Sequence, residues 1–182
     1  MSATSPRHLV LVGLMGAGKS TVGRLVATRL ARPFIDLDAE IVARAGATVA
    51  ELFRSRGEEG FRDIEAQMLA AVLDRSEPHV VAAGGGALSR PESLARVVRQ
   101  SDMVWLRVRP EVAAARCRSQ GVGVRPLLDH VEPVDRLRAL LQVREPAYSK
   151  APLVLDTDDA TPDVIAELLL SRLRLGMSAV EA

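Results

Sequence analysis

The stretch Gly13-Leu14-Met15-Gly16-Ala17-Gly18-Lys19-Ser20 satisfies the pattern G-x-x-x-x-G-K-[ST]. It follows the apolar run Leu9-Val10-Leu11-Val12 and precedes an amphipathic segment from Thr21 to Leu30. Strand, glycine-rich loop and helix in that order are the context in which this pattern cradles a phosphate chain. The glycines let the backbone curl so that its N–H groups point inward, and the helix that follows adds its positive end. Lys19 can then reach the β- and γ-phosphates, and the Ser20 hydroxyl can join a Mg²⁺ shell. A chance match is the competing reading. The flanks argue against it, as does the scarcity of lysine: Lys19 and Lys150 are the only two among 24 basic residues. Gly16, Ala17, Gly18, Lys19, Ser20 and Thr21 are therefore expected to hold the phosphates of a nucleotide.

The rest of the chain alternates short apolar runs with helical patterns. Strands are expected at Leu9–Val12, Phe34–Leu37, His79–Ala83, Met103–Val108 and Leu153–Asp156. Helices are expected at Lys19–Ala31, Thr48–Arg56, Glu58–Arg75 and Pro91–Gln100, from Pro110 onward, at Pro133–Arg144, and from Pro162 to about Leu173. Gln120 to Pro126 reads as a mobile loop, and the residues after Gly176 as a frayed tail. The fold class is α/β: a three-layer sandwich in which helices cover both faces of a parallel sheet. Ligands of such sheets lie at the carboxyl ends of the strands. Three strands in succession end there in residues capable of chemistry. The phosphate loop follows the first, Asp36 and Asp38 follow the second, and Gly84-Gly85-Gly86 follows the third.

Bulk properties narrow the classes of function. A chain of 182 residues suits one domain spanning 1–182. Hydrophobic residues make up 48% and charged residues 26%, which is ordinary for a globular protein. A net charge of +1 gives no electrostatic case for nucleic acid or an acidic membrane surface. No apolar stretch reads as a signal peptide or a membrane span. A cytoplasmic monomer is expected. Cys117 is alone, which excludes an internal disulfide, and His8, His79 and His130 are scattered and are assigned no chemistry.

Each remaining element has two readings. In an extended strand Asp36 and Asp38 share a face, so one could organise Mg²⁺ and the other accept a hydroxyl proton. Alternatively Asp38 caps the next helix and Asp36 is a turn residue. The triple glycine offers bare backbone N–H groups, or is a flexible turn. Arg62 is a ligand-binding residue, or a surface arginine paired with Glu58 or Glu65 at helical spacing. Arg125 and Arg144 are equally ambiguous alone, although Arg125 stands in a loop that could swing over a phosphoryl group.

Taken in order, GLMGAGKST at 13–21, FIDLDAEI at 34–41, TVAELFRSRGEEGFRDIE at 48–65, AGGGA at 83–87, VRPLL at 124–128 and REPAY at 144–148 resemble shikimate kinase. That family is one of small P-loop kinases with a nucleoside-monophosphate-kinase-like fold and a mobile lid. The resemblance runs from Leu9 to about Arg172. It implies ATP and shikimate as substrates and Mg²⁺ as cofactor. It makes Asp38 the candidate base, in contact with the substrate hydroxyls, and Asp36, with Ser20, the acid near Mg²⁺. It makes Arg62 and Arg144 the clamp on the substrate carboxylate, and Gly84 to Gly86 the wall beside it. Arg125 becomes the lid arginine, within a lid at 119–129, while Arg118 and Pro162 fall near the adenine site. The segment 34–65 becomes the substrate-binding part. The chain departs from the common pattern at Ala147, where a larger apolar residue is expected before Tyr148.

Competing readings are another small-molecule kinase such as a gluconokinase, a GTPase-type switch, and a nucleotide binder that has lost catalysis. The guanine-reading Asn-Lys-x-Asp of GTPases has no counterpart, because the chain contains no asparagine. Every candidate catalytic position is filled, which argues against lost catalysis.

Overall fold

The structure is a computed structural model that describes residues 7–119 and 133–178. Its centre is a five-stranded sheet of β1 (His8–Val12), β2 (Phe34–Asp36), β3 (Val80–Ala82), β4 (Ser101–Arg107) and β5 (Leu153–Asp156). The order across the sheet is β2-β3-β1-β4-β5, and every neighbouring pair is parallel. The helices are α1 (Lys19–Leu30), α2 (Leu37–Ala45), α3 (Val49–Leu73), α4 (Pro91–Gln100), α5 (Pro110–Ser119), α6 (Pro133–Tyr148) and α7 (Pro162–Ser178).

The two-residue period of the strands divides the core. Leu9 and Leu11 of β1, with Val104 and Leu106 of β4, face a cluster that includes Val26 of α1, Ala113 of α5, Leu137 of α6 and Leu169 of α7. Val10 and Val12, with Met103 and Trp105, face the opposite cluster of Ile41 in α2, Leu69 and Val72 in α3 and Val97 in α4. Burial on both faces explains why these strands read as continuous apolar runs. The chain leaves β1 toward β2 on one side and β4 toward β5 on the other, so the switch point lies between β1 and β4. The phosphate loop stands at that point.

Four expectations need correction. The second strand stops at Asp36, one residue early, because Leu37 opens a helix that the periodicity did not announce. Asp36, and not Asp38, is its cap: Ala39 N–H donates to Asp36 Oδ1 at 3.3 Å. Helix α6 runs past Arg144 and through Pro146 to Tyr148, whose buried ring and hydroxyl bond to Gly85 anchor the last turn. Helix α7 continues to Ser178, beyond the Gly176 at which a tail was expected, since a lone glycine weakens a helix by only about 1 kcal/mol. The split at Gly57 holds in a different form. Helix α3 passes through that residue, but Gly57 has φ 69° and ψ 179°, a kink between two helical halves. A reciprocal capping box between Thr48 and Glu51 fixes the start of the first half.

The structure brings two of the scattered histidines together at the amino end of the sheet. His79 N–H donates to His8 Nδ1 at 3.2 Å, and His8 Nε2 donates to the Arg75 carbonyl at 3.1 Å. His79 Nδ1 donates to the Glu77 carbonyl at 2.6 Å, and its Nε2 faces Arg75 Nη1 at 3.5 Å. Both nitrogens of His8 are thus committed to the neutral ring. Burial lowers the His8 pKa from 6.5, and the charges of His79 and Arg32 lower it further, against the opposing pull of the Arg75 and Leu73 carbonyls. The unfolded chain therefore binds this proton more tightly than the folded one. The contribution to stability is complete above pH 6.5 and is lost as the pH falls below it. Urea unfolding at about pH 7.5 and about pH 5.5 should show a larger acid loss for the native chain than for His8→Asn, which keeps an acceptor for His79 N–H. Equal losses in the two proteins would refute this.

Candidate active site

The phosphate loop bridges β1 and α1. Gly16 has φ 78°, and a methyl group there would lie 2.7 Å from the Ala113 carbonyl oxygen of α5. Only glycine satisfies both the dihedral and the close approach. Lys19, the first residue of α1, donates from Nζ to the Gly13 and Leu14 carbonyls, each at 2.9 Å. Its ammonium is folded over the loop that it closes. Ser20 Oγ donates to Asp36 Oδ2 at 2.5 Å, which sets a hydroxyl and a carboxylate side by side at the rim of the loop. Thr21 is exposed on the first turn.

A second group of side chains gathers over the triple glycine after β3. A methyl group at Gly84 would lie 2.6 Å from Asp38 Oδ1 and 2.5 Å from Glu65 Oε1. At Gly85 it would lie 2.7 Å from Arg144 Nη1, and at Gly86 it would collide with the Arg62 guanidinium. Each glycine therefore makes room for a different charged group. Asp38 arrives from α2, Arg62 and Glu65 from α3, and Arg144 from α6. The argument from alternate residues of a strand does not apply, because β2 ends at Asp36. The two aspartates separate: Asp36 joins the phosphate loop, and Asp38 the triple glycine.

Electrostatically the second group is a buried mixture of two acids and two arginines. Arg62 is 7% exposed and bonds to Glu65 and, at 3.3 Å, to Glu58. It is paired as the plainer reading had it, but it lies in the interior and not on the surface. Burial works against the Arg62 charge, and the neighbouring carboxylates of Glu65 and Glu58 more than restore it, leaving the guanidinium above its ordinary value. Burial pushes the Glu65 carboxyl up, Arg62 pulls it back, and Asp38 pushes it up again. The Arg62 ring of contacts includes Phe53 and Phe61, each 5.7 Å from ring centroid to guanidinium. Arg144 differs. Its Nη1 is buried and has no hydrogen-bond partner among the described residues. Tyr148, one turn along α6, donates its hydroxyl to the Gly85 carbonyl at 2.6 Å, and burial raises its pKa to about 12.

A protein-family model described as shikimate kinase matches residues 15–174. The chain belongs to the shikimate kinase family. A shikimate kinase of Symbiobacterium thermophilum is 45% identical over 164 residues, covering 89% of this chain and 94% of that one. Among solved structures, the shikimate kinase of Acinetobacter baumannii in complex with shikimate superposes with a TM-score of 0.88 at 34% identity, covering 94% of this chain and 95% of that one. A gluconokinase of Sinorhizobium meliloti is 20% identical with a TM-score of 0.63, covering 99% and 100% of the two chains, and shares the fold alone. The family is that of an ATP-dependent kinase, which agrees with the phosphate loop.

Several expected residues stay apart from both groups, and others were not foreseen. Arg118 and Pro162 are exposed, on α5 and at the start of α7. Arg125 and most of the expected lid lie outside the described residues. The site residues that the sequence did not single out are Glu65 and Tyr148. Glu65 carried a signal: it falls between Phe61 and Leu69, inside the apolar stripe of α3, where a charge needs a partner. Tyr148 carried a weaker one, as the only tyrosine of the chain.

Proposed function

We propose that this chain transfers the γ-phosphoryl group of ATP to the 3-hydroxyl of shikimate, giving shikimate 3-phosphate and ADP on the route to chorismate and the aromatic amino acids. The observation that carries the acceptor is the buried Nη1 of Arg144 beside Gly85, which has no hydrogen-bond partner among the described residues. An orphaned charged donor in the interior costs several times a typical hydrogen bond unless a ligand completes it. A carboxylate is the group that completes it best, because it takes two parallel N–H bonds. Arg62 stands on the next glycine, and Asp38 stands on the one before, so a small acid held by the arginines would present its hydroxyls to a carboxylate.

On this reading Asp38 orients the attacking hydroxyl and takes its proton as the new O–P bond forms. Lys19 exchanges its loop carbonyls for phosphate oxygens and neutralises charge as the γ-phosphoryl leaves ADP. Gly16 to Thr21 hold the phosphate chain. Arg125, in Val124-Arg125-Pro126-Leu127-Leu128, serves the same phosphoryl group from the lid, and Arg118 and Pro162 flank the adenine. Ser20 and Asp36 suit Mg²⁺: a hydroxyl and a carboxylate 2.5 Å apart supply the hard oxygens of a site completed by phosphate and water. Bound there, Mg²⁺ supplies charge neutralisation at the β- and γ-phosphates. The enzyme is taken to act in the cytoplasm as a single-domain monomer. Among the described residues, the exposed large apolar side chains Val98, Val143, Val154, Val164 and Leu168 are spread over four elements instead of forming a face.

The test is ADP release with ATP and Mg²⁺ against shikimate, gluconate and no acceptor. Release on shikimate alone supports the proposal, and preference for gluconate overturns it. Arg144→Lys should raise the shikimate KM about 10- to 100-fold while kcat stays within a few-fold, since a point charge cannot replace the paired contact. A fall in kcat at unchanged KM would instead place Arg144 on the transferring phosphoryl group.

A further inference from the structure

We infer that Tyr148, to which the proposed mechanism gives no part, is a positioning residue for the acceptor clamp: its hydroxyl holds the Gly85 peptide against Arg144. The inference rests on the reading of Arg144 as the clamp on the acceptor carboxylate. Tyr148 is buried and stands one turn after Arg144 on α6. Its ring packs against Trp105 of β4, with centroids 5.8 Å apart. Its hydroxyl donates to the Gly85 carbonyl at 2.6 Å. A methyl group on Gly85 would lie 2.7 Å from Arg144 Nη1. The glycine that makes room for the clamp is thus the one that the tyrosine holds.

The turn after β3 gives this bond its importance. The Gly84 carbonyl accepts from Ala87 N–H at 3.1 Å, and the Gly86 carbonyl from Ser89 N–H at 2.9 Å. The first and third glycines are therefore fixed from within the turn, and the middle one is fixed from α6. Glycine has no side chain to restrain its peptide, so an outside bond decides which way that peptide faces. The peptide is trans, so the Gly86 N–H points opposite to the Gly85 carbonyl. Turning the carbonyl to Tyr148 turns this N–H away from the tyrosine. Gly85 also borders the phosphate loop, since its methyl would stand 3.9 Å from the Gly13 carbonyl. A Gly85 peptide free to rotate would change the space left for the Arg144 guanidinium and shift the Gly86 backbone beside Arg62.

The residue type follows from the task. A phenol fills the space beside Trp105 with its ring and ends in one directed donor. Burial raises its pKa to about 12, against the pull of the Arg144 charge, so it remains a donor throughout the working pH range. Removing the oxygen alone keeps the ring and deprives the Gly85 carbonyl of this partner. Tyr148 acts through Gly85 and through the helical turn it shares with Arg144, not by contact with reacting atoms.

The experiment compares Tyr148→Phe with the native chain in steady-state kinetics and in thermal unfolding with and without shikimate. The expected result is a shikimate KM raised about fivefold, the equivalent of one hydrogen bond, with kcat and the ATP KM within about twofold. Shikimate should also raise the unfolding temperature of the variant by less than that of the native chain. A merely structural hydroxyl would lower the unfolding temperature and either leave the shikimate KM unchanged or move both KM values together. Either outcome overturns the inference, as does a fall in kcat at unchanged KM. Tyr148 is the only tyrosine of the chain, so growth on 3-fluorotyrosine labels this ring alone. Its fluorine resonance should shift when shikimate binds in the absence of ATP. A resonance that saturating shikimate leaves in place overturns the inference, and this reading decides alone if the phenylalanine variant does not fold. A native chain that releases no ADP with shikimate sinks the kinase proposal and the inference with it. An active native chain beside an unaffected variant sinks the inference alone.

Discussion

Lys19→Ala should abolish turnover while leaving a folded protein. The side chain is half-buried over the loop, with Nζ on the Gly13 and Leu14 carbonyls. The two bonds hold an ammonium within a few ångströms of the space the loop encloses. Phosphoryl transfer asks the protein mainly for placement and charge neutralisation, so loss of this charge falls on the transition state. The expected effect is at least about 10²-fold in kcat, equivalent to roughly 3 kcal/mol of transition-state stabilisation. The two lost hydrogen bonds to the Gly13 and Leu14 carbonyls should cost about 1 kcal/mol each in stability. Circular dichroism and thermal unfolding beside single-turnover rates separate the two effects. A folded variant with near-native kcat would remove Lys19 from the mechanism.

Asp38→Asn should retain ATP binding and lose transfer. The carboxylate lies against Gly84, with Glu65 as its acidic neighbour and Arg62 and Arg144 over the adjoining glycines. An amide of the same shape can neither take the hydroxyl proton nor carry the charge that orients it, and general-base loss costs about 10²- to 10⁴-fold. Calorimetric ATP binding and steady-state rates are the measurement, with Asp36→Asn run in parallel. Asp36 caps α2 and accepts from Ser20, so its variant should weaken Mg²⁺ dependence and helix stability in the first instance. An active Asp38→Asn beside a dead Asp36→Asn would mean that the two roles are exchanged.

The site was more legible than the paths by which its residues reach it. The phosphate loop is a local device: loop, lysine and serine lie within eight residues, and the flanking strand and helix can be read from the same stretch. The strands were legible because a sheet buried on both faces demands unbroken apolar runs. Helix α2 was not, because its apolar positions Leu37 and Ile41 continue the run begun by Phe34 and Ile35, and Asp36 looked like the end of a strand. The Gly46 C-cap, with φ 64°, was the available signal for its far end. Glu65 was legible only as a helical-spacing partner of Arg62. Its place beside Gly84 and Asp38 depends on distant segments that the spacing does not bring together. Family resemblance named the clamp arginines, but it did not say that Arg62 would already be occupied by Glu65 while Arg144 keeps a donor to spare.

The triple glycine bears on how such a site can change its preference for acceptors. The volume that a side chain at Gly84, Gly85 or Gly86 would need is held by Asp38 and Glu65, by Arg144, and by Arg62 in turn. Even an alanine there would evict a charge from the site, so this strand end offers no graded route to a larger, smaller or differently shaped pocket. Adjustment has to come from the helices that carry these charges, around Phe53 and Phe61 of α3, whose rings lie 5.7 Å from the Arg62 guanidinium, and along α6. Selection for an altered acceptor, in the laboratory or in nature, should therefore collect its changes on those helices and leave the three glycines as they are.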